Sequence, residues 1–158
     1  MTATFFPNAR YVRSNPRLWR TIAARYPIAN HTADHPFMPR LPYARMVEQL
    51  RTNERIIERI TGRPMVKLFR PPYGAYNAAV LRAAAAAGYR TTVLWDVDSR
   101  DASRASDGTV LARATRGSNG SVVLMHCGPS VTPRILSRVI ASYRARGFRF
   151  VTLPQLFR

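Results

Sequence analysis

The chain has 158 residues, 46% of them hydrophobic, so it is long enough for one domain with a sizeable core and too short to expect two. No stretch reaches the roughly 20 apolar residues that span a bilayer, and the start lacks the basic-then-apolar layout of a secretory signal, so we expect a soluble chain without an export address. The net charge of +17 comes mainly from dispersed arginines, which favour nonspecific attraction to acidic polymers and predict no specific nucleic-acid recognition.

Strand-like and helix-like segments alternate along the chain. Helical spacing of apolar residues or strong helix propensity predicts helices over 16–26, 43–62, 76–89, 108–115 and 133–147. Runs of β-prone residues predict strands at 2–6, 66–72, 90–99, 121–127 and 148–153, with a shorter signal at 27–29. Asn15 before Pro16 predicts a helix start, and Gly62 predicts a left-handed helix end. Repeated strand-helix-strand units of this size predict an α/β fold with a parallel sheet or barrel.

Polar residues follow four of the predicted strands, in the stretches ANHTADHP, RPPYG, DVDSRD and HCGP. All three histidines of the chain lie in these stretches, and three of its eight acidic residues share one of them: Asp96, Asp98 and Asp101. In parallel α/β folds the chemistry sits at the carboxyl ends of the strands. The four stretches together therefore predict a functional site.

Each stretch also has a purely structural interpretation. His31 and His35 are four residues apart and could lie on a helix surface, although Pro36 disfavours helix at His35 and favours a short turn at a strand end. RPPYG could be only a rigid loop. DVDSRD could be a polar turn neutralised by Arg100, and His126 could be a core histidine with its hydrogen bonds satisfied. The lone cysteine, Cys127, excludes an internal disulfide and is expected to be a small buried residue.

In order and spacing, the motifs ATFF, NHTADHP, FRPPYGAYN, LWDVDSRD, VVLMHCGP and YRARGFRFVTLPQL resemble those of the polysaccharide deacetylases, carbohydrate esterase family 4 or the NodB homology domain. The resemblance covers essentially the whole chain as a single domain over 1–158. It implies an irregular (β/α) barrel that hydrolyses acetyl groups on N-acetylglucosamine-containing glycans such as peptidoglycan or chitin. It also implies a divalent metal and a location outside the cytoplasm or in the cell envelope.

The resemblance further implies roles for individual residues. His31 and His35 would be metal ligands, typically for zinc, which polarises the acetyl carbonyl and lowers the pKa of the attacking water. His126 would be the general acid that protonates the leaving amine. Asp101 would be the carboxylate that keeps His126 protonated, although Asp98 is close enough in sequence to compete for that role.

Four more residues gain a role by the same resemblance. The backbone N–H of Tyr73 would help to hold the oxyanion, and Leu124 would line the pocket for the acetyl methyl group. Arg70 would orient the family's general base. Pro71 and Trp95 would belong to the substrate-binding surface.

The sequence departs from the family pattern in two places. The family's first strand ends in a TFDDG-type motif whose two aspartates are the general base and the third metal ligand, whereas MTATFF matches the family's second strand, so we expect a barrel that lacks its first strand. Asp34 is too close to its own histidines to replace the missing ligand. Ala102 stands where the family usually has a tryptophan that walls the groove.

These departures have consequences for stability and activity. We expect an unpaired edge near 2–6, weakly held or absent zinc, and a chain that is unstable or inactive. Three hypotheses stay open: a deacetylase whose start is misplaced or truncated, a noncatalytic relative that binds glycans or anionic polymers, and a basic nucleic-acid-binding domain.

Overall fold

The computed structural model describes residues 2–128 and 130–158. Its helices are α1 (Ala9–Ser14), α2 (Pro16–Ala23), α3 (Tyr43–Thr61), α4 (Ala78–Ala86), α5 (Asp107–Ala114), α6 (Val131–Ala145) and α7 (Leu153–Leu156). Its strands are β1 (Leu68–Phe69), β2 (Thr91–Thr92), β3 (Val97–Asp98) and β4 (Val123–Leu124), and two 3₁₀ turns cover Met38–Arg40 and Pro72–Gly74. The chain forms two compact units: a larger unit of residues 2–94 and 152–158, and a smaller unit of residues 95–151. The single domain over 1–158 stays a prediction.

The helix boundaries follow the capping residues of the sequence. Asn15 accepts a hydrogen bond from the Leu18 backbone at 3.2 Å and starts α2, while Gly62 ends α3 with φ at 67°. Both boundaries were predicted from the residue types. Helix α1 was not predicted, and it starts where the Asn8 side chain accepts from the Tyr11 backbone at 3.2 Å. None of the helices described has the length and apolar content that a membrane span requires.

Parallel backbone pairing organises the larger unit. Phe5 pairs with Ile28, Asn30 pairs with Phe69, and β1 pairs with β2, all in parallel. The predicted parallel arrangement is therefore confirmed, although the predicted strand at 2–6 is reduced to the single bridge at Phe5. Because parallel neighbours end at the same edge, the residues after Asn30 and after Phe69 are brought together.

Two apolar clusters stabilise the larger unit. One packs α3 and α4 against β1, and its fully buried members include Met38, Leu50, Phe69 and Val80. The other lies around α1, α2 and α3, and its buried members are Val12, Trp19, Ile28, Ile57 and Met65. Helix α3 contributes to both clusters because its apolar residues recur at helical spacing on more than one stripe. The loops at the strand ends are therefore attached to a packed scaffold.

The smaller unit pairs β3 with β4 in parallel, with Val97 opposite Val123 and Asp98 opposite Leu124. Helices α5 and α6 supply its core, whose buried members are Val110, Ala114, Val131, Ile135, Val139 and Tyr143. The pairing sets the loop after β3 beside the loop after β4, so Asp101 and His126 can meet.

The predicted strand at 90–99 is wrong as one continuous element, because it forms β2 in the larger unit and β3 in the smaller unit. Between the two strands, Asp96 uses its carboxylate to accept hydrogen bonds at 2.6 Å from the Val122 backbone and from the Ser121 hydroxyl. A side chain thus accepts the N–H group that a strand carbonyl would accept in a regular ladder. The alternating pattern of a β-strand does not show that a side chain accepts this hydrogen bond in place of a backbone carbonyl.

The predicted strand at 148–153 is also wrong. Phe148 and Phe150 pack against the core of the smaller unit without strand pairing, and residues 148–152 carry no strand assignment. Thr152 then starts α7 through a capping box with Gln155. This local S/T-x-x-E/Q signal outweighs the β propensity of the preceding aromatic residues.

Replacing Tyr143 with phenylalanine is expected to lower the free energy of unfolding by about 1–3 kcal/mol, because it leaves buried backbone groups without a hydrogen bond. The buried Tyr143 hydroxyl accepts from Gly117 N at 2.9 Å and donates to the Ala114 carbonyl at 2.8 Å. Urea unfolding measures the change. The matched control is Tyr11→Phe, since Tyr11 is 62% exposed, and equal effects of the two substitutions would contradict the assignment.

Candidate active site

The loop that carries the first two histidines begins where the Asn30–Phe69 pairing ends. Thr32 and His35 both adopt left-handed backbone, with φ of 66° and 61°. The Thr32 hydroxyl oxygen accepts from the His35 backbone at 3.2 Å and closes the turn. The predicted non-helical turn is confirmed, and it brings the His31 and His35 rings together with centroids 4.8 Å apart.

His31 is oriented by the neighbouring strand end. Its Nδ1 lies 2.7 Å from the Arg70 carbonyl oxygen. A carbonyl can only accept, so Nδ1 carries the proton and, in the neutral ring, Nε2 carries the lone pair. A backbone carbonyl on the second ring nitrogen is the usual way in which proteins orient a metal-binding histidine.

Asn30, the residue before His31, anchors the loop through hydrogen bonds of its side chain, and the sequence did not indicate this role. Asn30 is fully buried and donates from Nδ2 to the Leu50 carbonyl at 2.9 Å. Its Oδ1 accepts from Thr32 N at 3.0 Å and from Asn53 Nδ2 at 3.1 Å. Buried amides with this many partners fix a backbone conformation. The available signal was an asparagine directly at a predicted strand end.

Gln49 on α3 holds the same loop from the side and was also missed. Its Oε1 accepts from Ala33 N at 3.1 Å and from Asp34 N at 3.0 Å. Its Nε2 donates to the Asp34 carboxylate at 2.8 Å. The Asp34 carboxylate is thus held by a helix side chain. Gln49 lies on the partly buried face of α3, and its position in the helical repeat is the same as that of a residue that only packs against the core.

The histidine pair fits part of a zinc site. Among residues 2–128 and 130–158, no group of three or more His, Cys, Asp or Glu side chains is placed to hold a metal ion. Imidazole suits zinc, but zinc sites normally have three or four protein ligands. The described residues therefore place two imidazoles side by side, and their role as metal ligands stays a prediction.

The RPPYG stretch contributes three of the predicted residues to the larger unit. The Arg70 guanidinium is buried and lies 4.2 Å from the centroid of the Phe6 ring. Burial lowers the pKa of Arg70 to about 10, so the side chain remains charged at neutral pH. Pro71 is buried, whereas Tyr73 is exposed, and its ring centroid lies 4.6 Å from that of His35. The loop thus places Tyr73 beside the histidine pair, while the role of its N–H stays a prediction.

The smaller unit holds the other predicted pair. The Asp101 side chain is fully buried, and its Oδ1 lies 2.7 Å from Nδ1 of His126. Its Oδ2 accepts at 2.6 Å from both the His126 backbone N–H and the Thr132 hydroxyl. Burial alone would raise the pKa of Asp101, but these hydrogen bonds outweigh it and hold that pKa below its ordinary value. An ionised carboxylate thus faces the imidazole.

The geometry distinguishes between the two candidate carboxylates. Asp98 accepts from the Arg100 backbone at 2.9 Å, and its carboxylate lies 3.9 Å from the Arg100 guanidinium. Asp101 is therefore the carboxylate bound to His126. Sequence reasoning did not anticipate Thr132, which completes the set of donors around Asp101.

The remaining predicted residues of the smaller unit have mixed environments. Leu124 is buried in β4 and Trp95 is half-buried. The His126 side chain is 47% exposed, so the interpretation as a buried core histidine is wrong. Cys127 is exposed as well, which corrects the expectation of a small buried residue: it follows β4 in a surface loop instead of lying in the strand.

Comparison with known proteins identifies the family. The family model "Polysaccharide deacetylase" matches residues 1–92. A chitooligosaccharide deacetylase from Bradyrhizobium is 32% identical over 98% of this chain and 77% of that protein. The chain belongs to the polysaccharide deacetylase family. This chain is 36% identical to a bifunctional xylanase/xylan deacetylase from Cellvibrio japonicus. The match covers 91% of this chain and 22% of that protein.

Solved structures of the family have the same fold. A family 4 carbohydrate esterase from Streptomyces lividans matches 92% of this chain and 76% of its own, with 34% identity and a TM-score of 0.84. A CE4 family pseudoenzyme from Bacillus anthracis matches 99% of this chain and 56% of its own, with 29% identity and a TM-score of 0.91. The predicted α/β fold of the NodB type is confirmed, whereas the closed barrel stays a prediction.

Proposed function

We propose that this polysaccharide deacetylase chain hydrolyses acetyl groups on N-acetylglucosamine-containing glycans of the peptidoglycan or chitin type. The main support for the proposal is the hydrogen bond between the half-exposed His126 imidazole and the buried Asp101 carboxylate. The named activity of the Bradyrhizobium relative supports the substrate class. Such substrates belong to cell walls, so we also propose action outside the cytoplasm or in the cell envelope.

His126 and Asp101 would form the acid of the reaction. Asp101, ionised at neutral pH, accepts from Nδ1 and favours the imidazolium form of His126. The proton on the opposite nitrogen, Nε2, would pass to the amine nitrogen as the carbon–nitrogen bond breaks. Fixing Nδ1 on the carboxylate thus determines which nitrogen delivers the proton.

His31 and His35 would bind the divalent metal, with zinc as the best match to two imidazoles. When bound, the metal supplies polarisation of the acetyl carbonyl and a lowered pKa of water. Within the larger unit, the Arg70 carbonyl keeps His31 in the tautomer with the lone pair on Nε2. With these two histidines as the only candidate ligands among the described residues, we expect weak binding.

The remaining assignments stay part of the proposal. The Tyr73 N–H would stabilise the oxyanion, and Leu124 would contact the acetyl methyl group. Pro71 and Trp95 would contact the sugar. Arg70, buried and charged, would orient a general base.

A second function is a noncatalytic domain that binds glycans or anionic polymers. The similarity to the CE4 family pseudoenzyme and the two-histidine ligand set support it. This function would need the glycan surface and the positive charge, and it would not need the metal. Specific nucleic-acid binding has no comparable support.

The test is incubation of the untagged protein with N-acetylglucosamine oligomers and added zinc, followed by measurement of acetate and of free amines. We expect slow release of one acetate per amine formed. Glycan binding without acetate release would replace the enzyme with the noncatalytic function. Absence of both binding and release would overturn both proposals.

A further inference from the structure

Two aromatic rings are exposed beside the histidine loop of the larger unit. The Tyr73 side chain is 66% exposed and that of Phe37 is 44% exposed. Their ring centroids lie 6.3 Å apart, and the Tyr73 ring also contacts His35. Single exposed apolar residues are ordinary, whereas these two large rings are adjacent and lie next to a candidate site. We call Phe37, Tyr73 and the neighbouring Arg40 the aromatic platform.

The backbone holds both rings outward. Phe37 directly precedes the turn Met38–Arg40, whose Met38 side chain is fully buried and anchors the turn. Tyr73 has φ at 60°, a strained conformation for a residue with a side chain, and it follows the buried Pro72. Rings fixed in this way lose little conformational entropy on binding a ligand.

Arg40 gives the platform a positive charge. Its guanidinium carbon lies 5.3 Å from the centroid of the Phe37 ring, and the residue is exposed. The salt bridges among residues 2–128 and 130–158 do not include Arg40. The Asp34 carboxylate of the histidine loop is hydrogen-bonded to Gln49. The cation is therefore available to an acidic group of a ligand.

We propose that the aromatic platform binds an anionic glycan and selects it over a neutral one. The rings of Phe37 and Tyr73 would stack on the apolar face of a sugar, while Arg40 would pair with a carboxylate carried by the same strand. The net charge of +17 adds a long-range attraction to the same ligand. This inference rests on the proposed function, and it narrows the substrate to carboxylate-bearing glycans of the peptidoglycan type.

The experiment compares two ligands of equal sugar length by calorimetry: a neutral chito-oligosaccharide and a peptidoglycan fragment that carries carboxylates. We expect tighter binding of the anionic fragment, with a preference that decreases as salt is raised. Arg40→Gln should weaken binding of the anionic fragment by up to about fivefold and leave the neutral ligand unchanged. Arg17→Gln, on the exposed surface of α2, removes the same charge and should change neither affinity.

The aromatic contribution is tested separately. Phe37→Ala should weaken binding of both ligands by about tenfold. Phe157→Ala, which removes another exposed ring of the larger unit, should leave both affinities unchanged. Equal affinities for the two ligands, or equal effects of Arg40→Gln and Arg17→Gln, would overturn the inference while acetate release still supported the proposed function. Failure to bind either ligand would overturn the inference, and it would overturn the proposed function as well only if acetate release were also absent.

Discussion

Replacing Asp101 with asparagine is expected to lower the free energy of unfolding at pH 7 by about 2–4 kcal/mol. The fully buried carboxylate interacts with His126 through both oxygens and accepts from the Thr132 hydroxyl. Asparagine keeps one acceptor oxygen and presents an NH₂ group to donors that then have no partner. Urea unfolding of the two proteins measures the difference.

The same substitution should change the pH dependence of stability. The pKa of Asp101 is lowered in the folded protein, so in acid the unfolded chain binds the proton first. The stabilisation by Asp101 is therefore complete above the unfolded pKa of about 4 and is lost as the pH falls through the lower folded pKa. We expect the difference in unfolding free energy between wild type and Asp101→Asn to shrink below about pH 4.

Asp98→Asn is the matched control. Asp98 is a partly exposed carboxylate in the same loop, and its contacts are with the exposed Arg100. Its replacement should cost no more than about 1 kcal/mol and leave the acid limb of the stability profile unchanged. If Asp98→Asn matched Asp101→Asn in stability or in loss of acetate release, the assignment of Asp101 as the partner of His126 would be wrong.

The sequence indicated which loops lie at neighbouring strand ends, but it did not indicate the contacts that support those loops. Strand ends are visible in sequence because β-prone runs stop at Pro, Gly and polar residues, and parallel pairing then brings His31 to the Arg70 carbonyl. The choice between Asp98 and Asp101 needed coordinates, since both follow β3 within three residues of each other. The two aspartates are distinguished only by the direction in which each side chain points.

The residues that support the candidate site could not be predicted from the sequence, for a physical reason. Asn30, Gln49 and Thr132 act through hydrogen bonds to groups distant in sequence, and periodicity reports only which face of an element is buried. The errors over 90–99 and 148–153 have a similar origin. In each segment a polar side chain, that of Asp96 or Thr152, accepts a hydrogen bond from a backbone N–H group. This hydrogen bond competes with strand pairing.

Replacing His31 or His35 with alanine is expected to weaken zinc binding by at least about 100-fold, because each removes one of two ligands. The rings lie with centroids 4.8 Å apart, and His31 is oriented by the Arg70 carbonyl. Competition with a chromophoric chelator, using untagged protein, measures the affinity.

Two control variants decide where zinc is bound. His126→Ala should change the affinity by less than about twofold, because the Nδ1 atom of His126 is hydrogen-bonded to the Asp101 carboxylate. Cys127→Ser tests the exposed thiol of the chain's single cysteine, which is a soft ligand that binds zinc. If Cys127→Ser reduced zinc binding while His31→Ala did not, the metal would be bound at the thiol. The histidine loop would then serve glycan binding alone, which is the behaviour expected of the noncatalytic function.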